Sequence, residues 1–506
     1  MNTEPGTKPL QEQLICDQVL WELKDQQAVS LLRLEAETFC AAMEAGKGRS
    51  TDTPRMYWSG LEDNGARARD ARDFPDASVL VVSVGGSHAH FRALKISRGE
   101  VQELVNPRGN RNIVTPCGDE QVHSLEEMLM PIAKEAYAWL KILDLRTRPH
   151  IMLNWGFPQR SVILSSTDGL TGAIGEIMTK GQRGVQAEGR EIQTVFRTCL
   201  QQICSENRTT IDISAVRITV QNDTVMAMFR YLERSKRAQY RTLALMILGT
   251  GVNITSLAGY ATGETGDVII DEEGLPVRVN SSDPACSSRP YWLDYEVGRL
   301  KPVSTQSHCD RLAPAEVGET AENIENFGLA GTGFGRIFHN LVHDHIAEAE
   351  TVWSLLSSLL ALNKYQPFPE AEWVVKLSGR HLSAAADATV LTLTSAGIGN
   401  STISQLQVLA SAVIDRSAVR AATVLAAVSL FSGFGLQTTA LPDALAMEGS
   451  IWKIKDFQGQ VLKSWSAILQ PELRDLALHD LHVSLIVEDN YNAGVLGPAY
   501  LLGQYL

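Results

Sequence analysis

No pair of cysteines in this sequence has C-x-x-C spacing. The seven cysteines, Cys16, Cys40, Cys117, Cys199, Cys204, Cys286 and Cys309, are odd in number and scattered. Neither a disulfide framework nor a zinc knuckle is readable from them, and free thiols in a reducing compartment are expected. Long apolar runs are lacking too. The most apolar stretch, A-A-T-V-L-A-A-V-S-L-F-S-G-F-G-L (421–436), is interrupted by Ser429 and Ser432. It is short of a bilayer span and reads as a buried helix. The opening M-N-T-E-P-G-T-K-P-L-Q-E-Q-L has no cationic region followed by an apolar run, so no secretory leader is expected. These absences lead to the expectation of a cytoplasmic protein with no membrane contact, in which the N-x-[ST] sequons at Asn207, Asn253 and Asn400 stay idle. Basic residues are also in short supply: 45 Lys and Arg face 58 Asp and Glu, a net charge of −13. An acidic surface argues against nucleic-acid contact and against binding to anionic membranes.

What is present is ordinary for a globular protein with a large core. Of 506 residues, 44% are apolar and 20% charged, and the length suits two large domains or up to four smaller ones. Residues 8–46 carry helical spacing through Leu20, Leu23, Val29, Leu32 and Leu34. Residues 47–76 mix polar, basic and acidic residues and read as a linker or surface loop. Then A-S-V-L-V-V-S-V-G-G-S-H-A-H-F-R-A-L-K-I (77–96) reads as strand, glycine turn, strand. A helical pattern spans about 120–144, and another strand begins near 149–158. The strand–glycine turn–strand device returns at 242–261, roughly 165 residues later, which suggests two related lobes. Residues 262–325 are irregular and proline-rich, 404–431 reads as one long buried helix, and the chain closes with a strand, a glycine-containing turn and a helix.

Three short stretches carry chemistry. V-Q-N-D-T-V (220–225) interrupts an apolar stretch with Asn222 and Asp223 side by side. Alone, it reads as an Asx turn. G-T-G (Gly249, Thr250, Gly251) lets backbone N–H groups converge on an anion, with the Thr250 hydroxyl as a further donor, and G-G-S (Gly85, Gly86, Ser87) offers the same device. Alone, each also reads as a tight hairpin. One such turn on each of two facing lobes would make a polyphosphate site, the geometry of the actin-like ATPases.

In order and spacing the pieces resemble the hexokinase family. They are V-S-V-G-G-S-H-A-H (82–90), G-F-P-Q (156–159), M-T-K-G (178–181), V-Q-N-D-T-V (220–225), G-T-G-V-N (249–253), I-E-N-F (324–327), the helix V-I-D-R-S-A-V-R-A-A-T-V-L-A-A, E-G-S (448–450) and N-A-G-V-L-G-P-A-Y (492–500). Each alone is weak; together they cover roughly 75–503. The resemblance implies an α/β fold of the two-lobed, actin-like ATPase (ribonuclease H-like) kind with a ligand cleft between the lobes. It divides the chain into an N-terminal helix and linker (1–76), a small domain (77–221) and a large domain (222–506) whose C-terminal helix returns to the small lobe. It implies ATP and Mg²⁺ as cofactors and a hexose as the acceptor. On it, Asp223 is the catalytic base and Lys180 a charged donor at the transfer site. Thr179, Asn222, Asn253, Glu325 and Ser282 meet the sugar. Gly85, Gly86, Ser87, Gly249, Thr250, Gly251, Gly449, Ser450, Gly494 and Gly497 meet the nucleotide.

The departures are specific. Ser83 stands where the family has the aspartate linked to the magnesium shell, and a serine brings no anionic charge to order the metal's waters. His88 and His90 replace an asparagine and an arginine, and Gly156 replaces a serine. The family's second sugar-binding glutamate falls on Ser282 in V-N-S-S-D-P, or on Glu272 in a looser alignment. The resemblance therefore implies a hexose phosphotransferase of reduced or altered specificity, with a catalytically impaired regulator that senses sugar or nucleotide as the alternative. A chaperone-type ATPase is disfavoured, because T-K-G and N-D-T are sugar-kinase features.

Overall fold

The structure, a computed structural model, describes residues 26–45, 57–62, 69–85, 88–98, 100–104, 112–114, 124–143, 149–164, 169–176, 178, 185–208, 211–233, 236, 238–249, 251–261, 288–297, 300, 329–362, 368–380, 385–487 and 493–505. Its strands in chain order are β1 (Tyr57–Glu62), β2 (Ala77–Val84), β3 (His88–Ser97), β4 (Glu100–Leu104), β5 (Asn112–Val114), β6 (His150–Trp155), β7 (Gln159–Ile163), β8 (Thr171–Gly175), β9 (Arg217–Asn222), β10 (Leu243–Leu248), β11 (Val252–Ala261), β12 (Ser288–Asp294), β13 (Asp443–Glu448) and β14 (Val483–Val487). Its helices include α1 (Gln26–Ala45), α2 (Leu125–Leu140), α3 (Ile192–Glu206), α4 (Asp223–Met228), α5 (Gly331–His345), α6 (Asn400–Ser432), α7 (Phe457–Ile468), α8 (Gln470–Asp475) and α9 (Ala493–Tyr505).

The two glycine-turn hairpins each seed a sheet. One sheet runs β4-β3-β2-β6-β9, the other β1-β12-β11-β10-β13-β14. In the first, β2 is antiparallel to β3 and parallel to β6, which is parallel to β9. In the second, β10 is antiparallel to β11 and parallel to β13, which is parallel to β14. The same five-strand topology thus occurs twice, which is the two-lobed actin-like architecture. Parallel strands need crossovers and are covered on both faces, so they read as unbroken apolar runs. Strand β6 is buried along its whole length. Helices α2 and α3 cover the small-lobe sheet, with α2 started by a capping box between Ser124 and Glu127. Helix α6 lies in the large-lobe core.

The N-terminal region differs from its expected reading. Residues 57–62 are a strand, not a loop, and pair antiparallel with β12. A Tyr-Trp start suits a strand, and the pairing covers an edge that β12 would otherwise expose. Helix α1 presents Leu32, Ala36, Phe39 and Met43 as one buried stripe in the same core as α6 and α7. Arg33 fixes it by bonding both carboxylate oxygens of Glu472 on α8. Helix α9 packs on α4 and also reaches β2, β3 and β6 of the small-lobe sheet, while α4 itself reaches β10, β11 and β12 of the large-lobe sheet.

One buried titratable group sets a pH limit on the small lobe. His150 opens β6 at 4% exposure. Burial, helped by Arg217, pushes its pKa down to about 4. A group depressed in the folded state contributes stability above its unfolded pKa, and that stability is lost as pH falls through the folded value. Unfolding free energy is expected to drop by about 3 kcal/mol from this group as pH falls from about 6.5 to about 4. Urea unfolding of His150→Leu across that range should lack this component, and an equal acid slope in variant and parent would contradict the assignment.

Candidate active site

The site is built where three parallel strands end side by side. Val84, Trp155 and Asn222 are in register across β2, β6 and β9. The next residues, Gly85, Gly156 and Asp223, therefore form one row at the carboxyl ends of the strands, where open α/β sheets take ligands. A Cβ placed on Gly156 would lie 3.1 Å from the Val84 carbonyl, 3.2 Å from Asp223 Oδ2 and 3.7 Å from Gly85 Cα. The Asp223 carboxylate thus lies against the first glycine turn, on ground that a side chain at 156 would crowd.

V-Q-N-D-T-V is a strand-to-helix junction. Asn222 is the N-cap of α4, its Oδ1 accepting from Thr224 N–H at 2.8 Å. Asp223 begins the helix and its Oδ1 accepts from the Thr224 hydroxyl at 3.2 Å. Its other oxygen is the one facing Gly156. Capping spends the Asn222 carbonyl and leaves its amide N–H₂ as the donor end.

The second cradle lies in the large lobe. Gly249 follows β10, and its N–H donates to the Gly251 carbonyl at 3.0 Å. The Gly249 carbonyl accepts from Gly331 N–H at the start of α5, at 2.8 Å. Gly449 follows β13 with φ +104°, and a Cβ there would lie 2.2 Å from the Leu248 carbonyl. Only glycine permits that conformation and approach, so E-G-S is held against the end of β10. The run G-T-G-F-G at 331–335 opens α5 against the glycine turn.

A buried carboxylate at this end of the large sheet was missed. Asp294 closes β12 at 1% exposure. Its Oδ1 accepts from Asn253 Nδ2 at 2.7 Å, and among the described residues its Oδ2 has no partner. Burial raises its pKa well above the usual carboxylate range, with neighbouring Glu296 and the charge of Asp223 adding to the rise and the Asn253 bond opposing it. The signal was an acidic residue ending the run Y-W-L-D in a chain that otherwise needs a second carboxylate.

The remaining expected residues divide as follows. Gly494 opens α9, and its carbonyl accepts from Asn154 Nδ2 at 3.2 Å. Gly497 has a packing role: a Cβ there would lie 2.1 Å from the Met226 carbonyl of α4. Ser450 starts a 3₁₀ turn after Gly449. Gly86, Ser87, Thr179, Lys180, Thr250, Ser282, Glu325 and Glu272 lie outside the described residues.

The expected Mg²⁺ does not fit the donors at Ser83. Mg²⁺ uses carboxylates, phosphate oxygens and waters in near-octahedral geometry. Ser83 Oγ instead accepts from Asn154 Nδ2 at 3.1 Å, and the second hydrogen of that amide goes to the Gly494 carbonyl. A carbonyl only accepts, so the amide nitrogen must face it. The position offers a neutral hydroxyl already engaged by a donor. Among the described residues, no three His, Cys, Asp or Glu side chains are grouped so as to hold a metal ion.

By sequence, no protein-family model and no curated protein matches the chain. Solved structures do match by architecture. The hexokinase from Schistosoma mansoni complexed with glucose aligns with TM-score 0.61 and 14% identity, over 98% of this chain and 100% of that one. The fold is that of a hexokinase. A second hexokinase crystal structure aligns with TM-score 0.63 and 15% identity, over 98% of this chain and 99% of that one. No helix among the described residues is long and apolar enough to cross a membrane.

Proposed function

We propose that the protein is an ATP-dependent phosphotransferase that moves the γ-phosphoryl group to a hexose hydroxyl. The observation that carries this reading is the Asp223 carboxylate, with one oxygen facing the row of strand ends beside the Gly85 turn. Transfer to an alcohol needs the hydroxyl held in line with the phosphorus and its proton accepted as the bond forms. The hydroxyl oxygen bonds to phosphorus, the bond from phosphorus to the β–γ bridging oxygen breaks, ADP leaves, and Asp223 takes the proton. The Asn222 amide donates to a neighbouring hydroxyl. Asp294, oriented by Asn253, accepts from others through its unpartnered oxygen. Thr179, Lys180, Glu325 and Ser282 complete the sugar contacts on the family resemblance. The turns at 85–87 and 249–251, with Gly449 and Ser450, hold the nucleotide. The crystallised hexokinase bound to glucose is consistent with a hexose as acceptor.

A second reading, a sugar sensor with little turnover, is favoured by Ser83 bonded to Asn154 in place of an anionic group. One experiment separates the two. Purified protein is assayed with ATP against a panel of hexoses for ADP release, and glucose binding is followed by calorimetry. Sugar-dependent ADP release supports transfer, binding without release supports the sensor, and neither binding nor release removes both.

A further inference from the structure

Ser83, Asn154 and Gln221 are in register across β2, β6 and β9, so they form a polar row one step before the strand ends. Two of the three tie the small-lobe sheet to other parts of the chain. Asn154 ties it to the start of α9. Gln221, 1% exposed, has the denser set of bonds. Its Oε1 accepts from the Asn222 backbone N–H at 2.9 Å, from Gln159 Nε2 at 3.1 Å and from Ser161 Oγ at 3.3 Å. Its Nε2 donates to the Ser59 carbonyl at 2.7 Å and meets Thr171 Oγ1 at 3.5 Å.

The placement of those partners matters. Among the described residues, strand β9 is the edge of its sheet, paired only with β6. An edge strand leaves outward polar groups unpaired unless something covers them. Here Gln221 takes up the N–H of Asn222, the residue that caps Asp223's helix, while its own amide is clamped by the β7–β8 hairpin. Its opposite end is anchored on β1, a strand of the other sheet, whose Tyr57 is in register with Asp294. One side-chain amide therefore connects the backbone carrying Asp223 to the strand paired alongside Asp294. Both ends of the Gln221 amide are bonded, and a buried polar group so satisfied holds a single arrangement, although among the described residues Gln159 Oε1 has no partner. An apolar residue of the same size would serve packing equally well and leave the Asn222 N–H without its acceptor.

We propose that Gln221 is a positioning residue that fixes Asp223 relative to Asp294 by tying the end of β9 to β1 and to the β7–β8 hairpin. It rests on the sugar-site reading above for its functional consequence, not for its structural one. A positioned site requires its groups within a fraction of an ångström, held by neighbours with satisfied hydrogen bonds. Loss of the tie should leave each carboxylate in place on its own element and loosen their separation.

The test uses the full chain with Gln221→Met, which keeps the volume and removes the amide. Hydrogen exchange followed by mass spectrometry should show exchange at 219–224 and at 57–62 faster by about tenfold or more, with α6 unchanged. Glucose affinity by calorimetry should fall about tenfold, and this loss should vanish in an Asp294→Asn background, because a displaced partner matters only while the partner is there. A purely structural role would lower affinity equally in both backgrounds, and that result overturns the proposal. Exchange within about twofold of the parent at both segments also overturns it. Should the parent bind no hexose, the sugar-site reading fails, and the exchange result still decides the Gln221 tie. Gln159→Leu, which removes a single donor to Gln221, keeps the test open if Gln221→Met does not fold: faster exchange at Asn222 supports the clamp, and parent-like exchange there counts against it.

Discussion

Replacing Asp223 by alanine is expected to lower hexose phosphorylation by about 10²- to 10⁴-fold, the usual contribution of a general base, with further loss from the unanchored hydroxyl. The fold should survive the change. Asp223 is the first residue of α4, alanine is the best helix former, and the N-cap bond from Asn222 to Thr224 does not involve the aspartate side chain. The lost interaction with the Thr224 hydroxyl is a single partly exposed bond of 3.2 Å. Asp223→Asn sharpens the comparison, because it keeps the shape facing Gly156 and removes only the proton acceptor. Glucose binding by calorimetry should stay within about tenfold in both variants, since the hydroxyl retains its other donors and acceptors. Turnover in Asp223→Ala within about threefold of the parent would show that Asp223 is not the base, since a base contributes far more.

Much of the architecture was legible, and for a physical reason. Two apolar strands followed by glycine turns announce two hairpins, and the structure builds equivalent sheets on both. The order of N-D-T and G-T-G marked both stretches as candidates; that the first is a strand-to-helix junction, with Asp223 Oδ2 3.2 Å from where a Cβ on Gly156 would lie, emerges only in the structure. Other features were hidden because they depend on pairing between distant segments. Residues 57–62 look polar and loop-like until β12 supplies an edge to pair with. Asp294 lies in a proline-rich stretch, and its role as a buried carboxylate follows only from its neighbours Asn253 and Asp223. Gly497 carried a motif resemblance, yet the space beside it is taken by the Met226 carbonyl. Gln221 offered no signal, since a lone glutamine in a strand acquires meaning only from what its amide touches.

Asp294→Asn should trade binding for stability, with the sign set by the raised pKa of the buried acid. Its folded pKa lies above the unfolded value, chiefly through burial, then through Glu296, with the charge of Asp223 adding and the Asn253 bond opposing. A group raised in this way contributes fully below its unfolded pKa, and that contribution is lost as pH rises through the folded value. The parent should therefore lose stability with rising pH as Asp294 is forced to ionise inside the protein or the protein opens around it. Asparagine cannot ionise. Its oxygen can still accept from Asn253 Nδ2, the bond that the carboxylate makes at 2.7 Å. At about pH 3, below the ordinary carboxylate pKa of about 3.9, the two proteins should melt within about 1 °C of each other, and as pH rises above that value the variant should melt progressively higher, by about 2 °C or more at neutral pH, the shift of roughly 1 kcal/mol in a large domain. Binding should move the other way. Sugar hydroxyls donating to the carboxylate favour its charged form, so binding releases the Asp294 proton to solvent and the parent's glucose affinity should rise with pH. The variant loses hydrogen bonds to a charged group, about 1.5–3 kcal/mol, which is about ten- to a hundredfold in affinity. Its glucose affinity should also lose the pH dependence that Asp294 contributes. Differential scanning calorimetry and isothermal titration across that pH range read both effects. A variant that gains stability at neutral pH yet binds glucose as the parent does would leave Asp294 as a strained core residue with no part in the site. A variant with parent-like melting at every pH would mean that the carboxyl finds a partner that keeps its ionisation unperturbed.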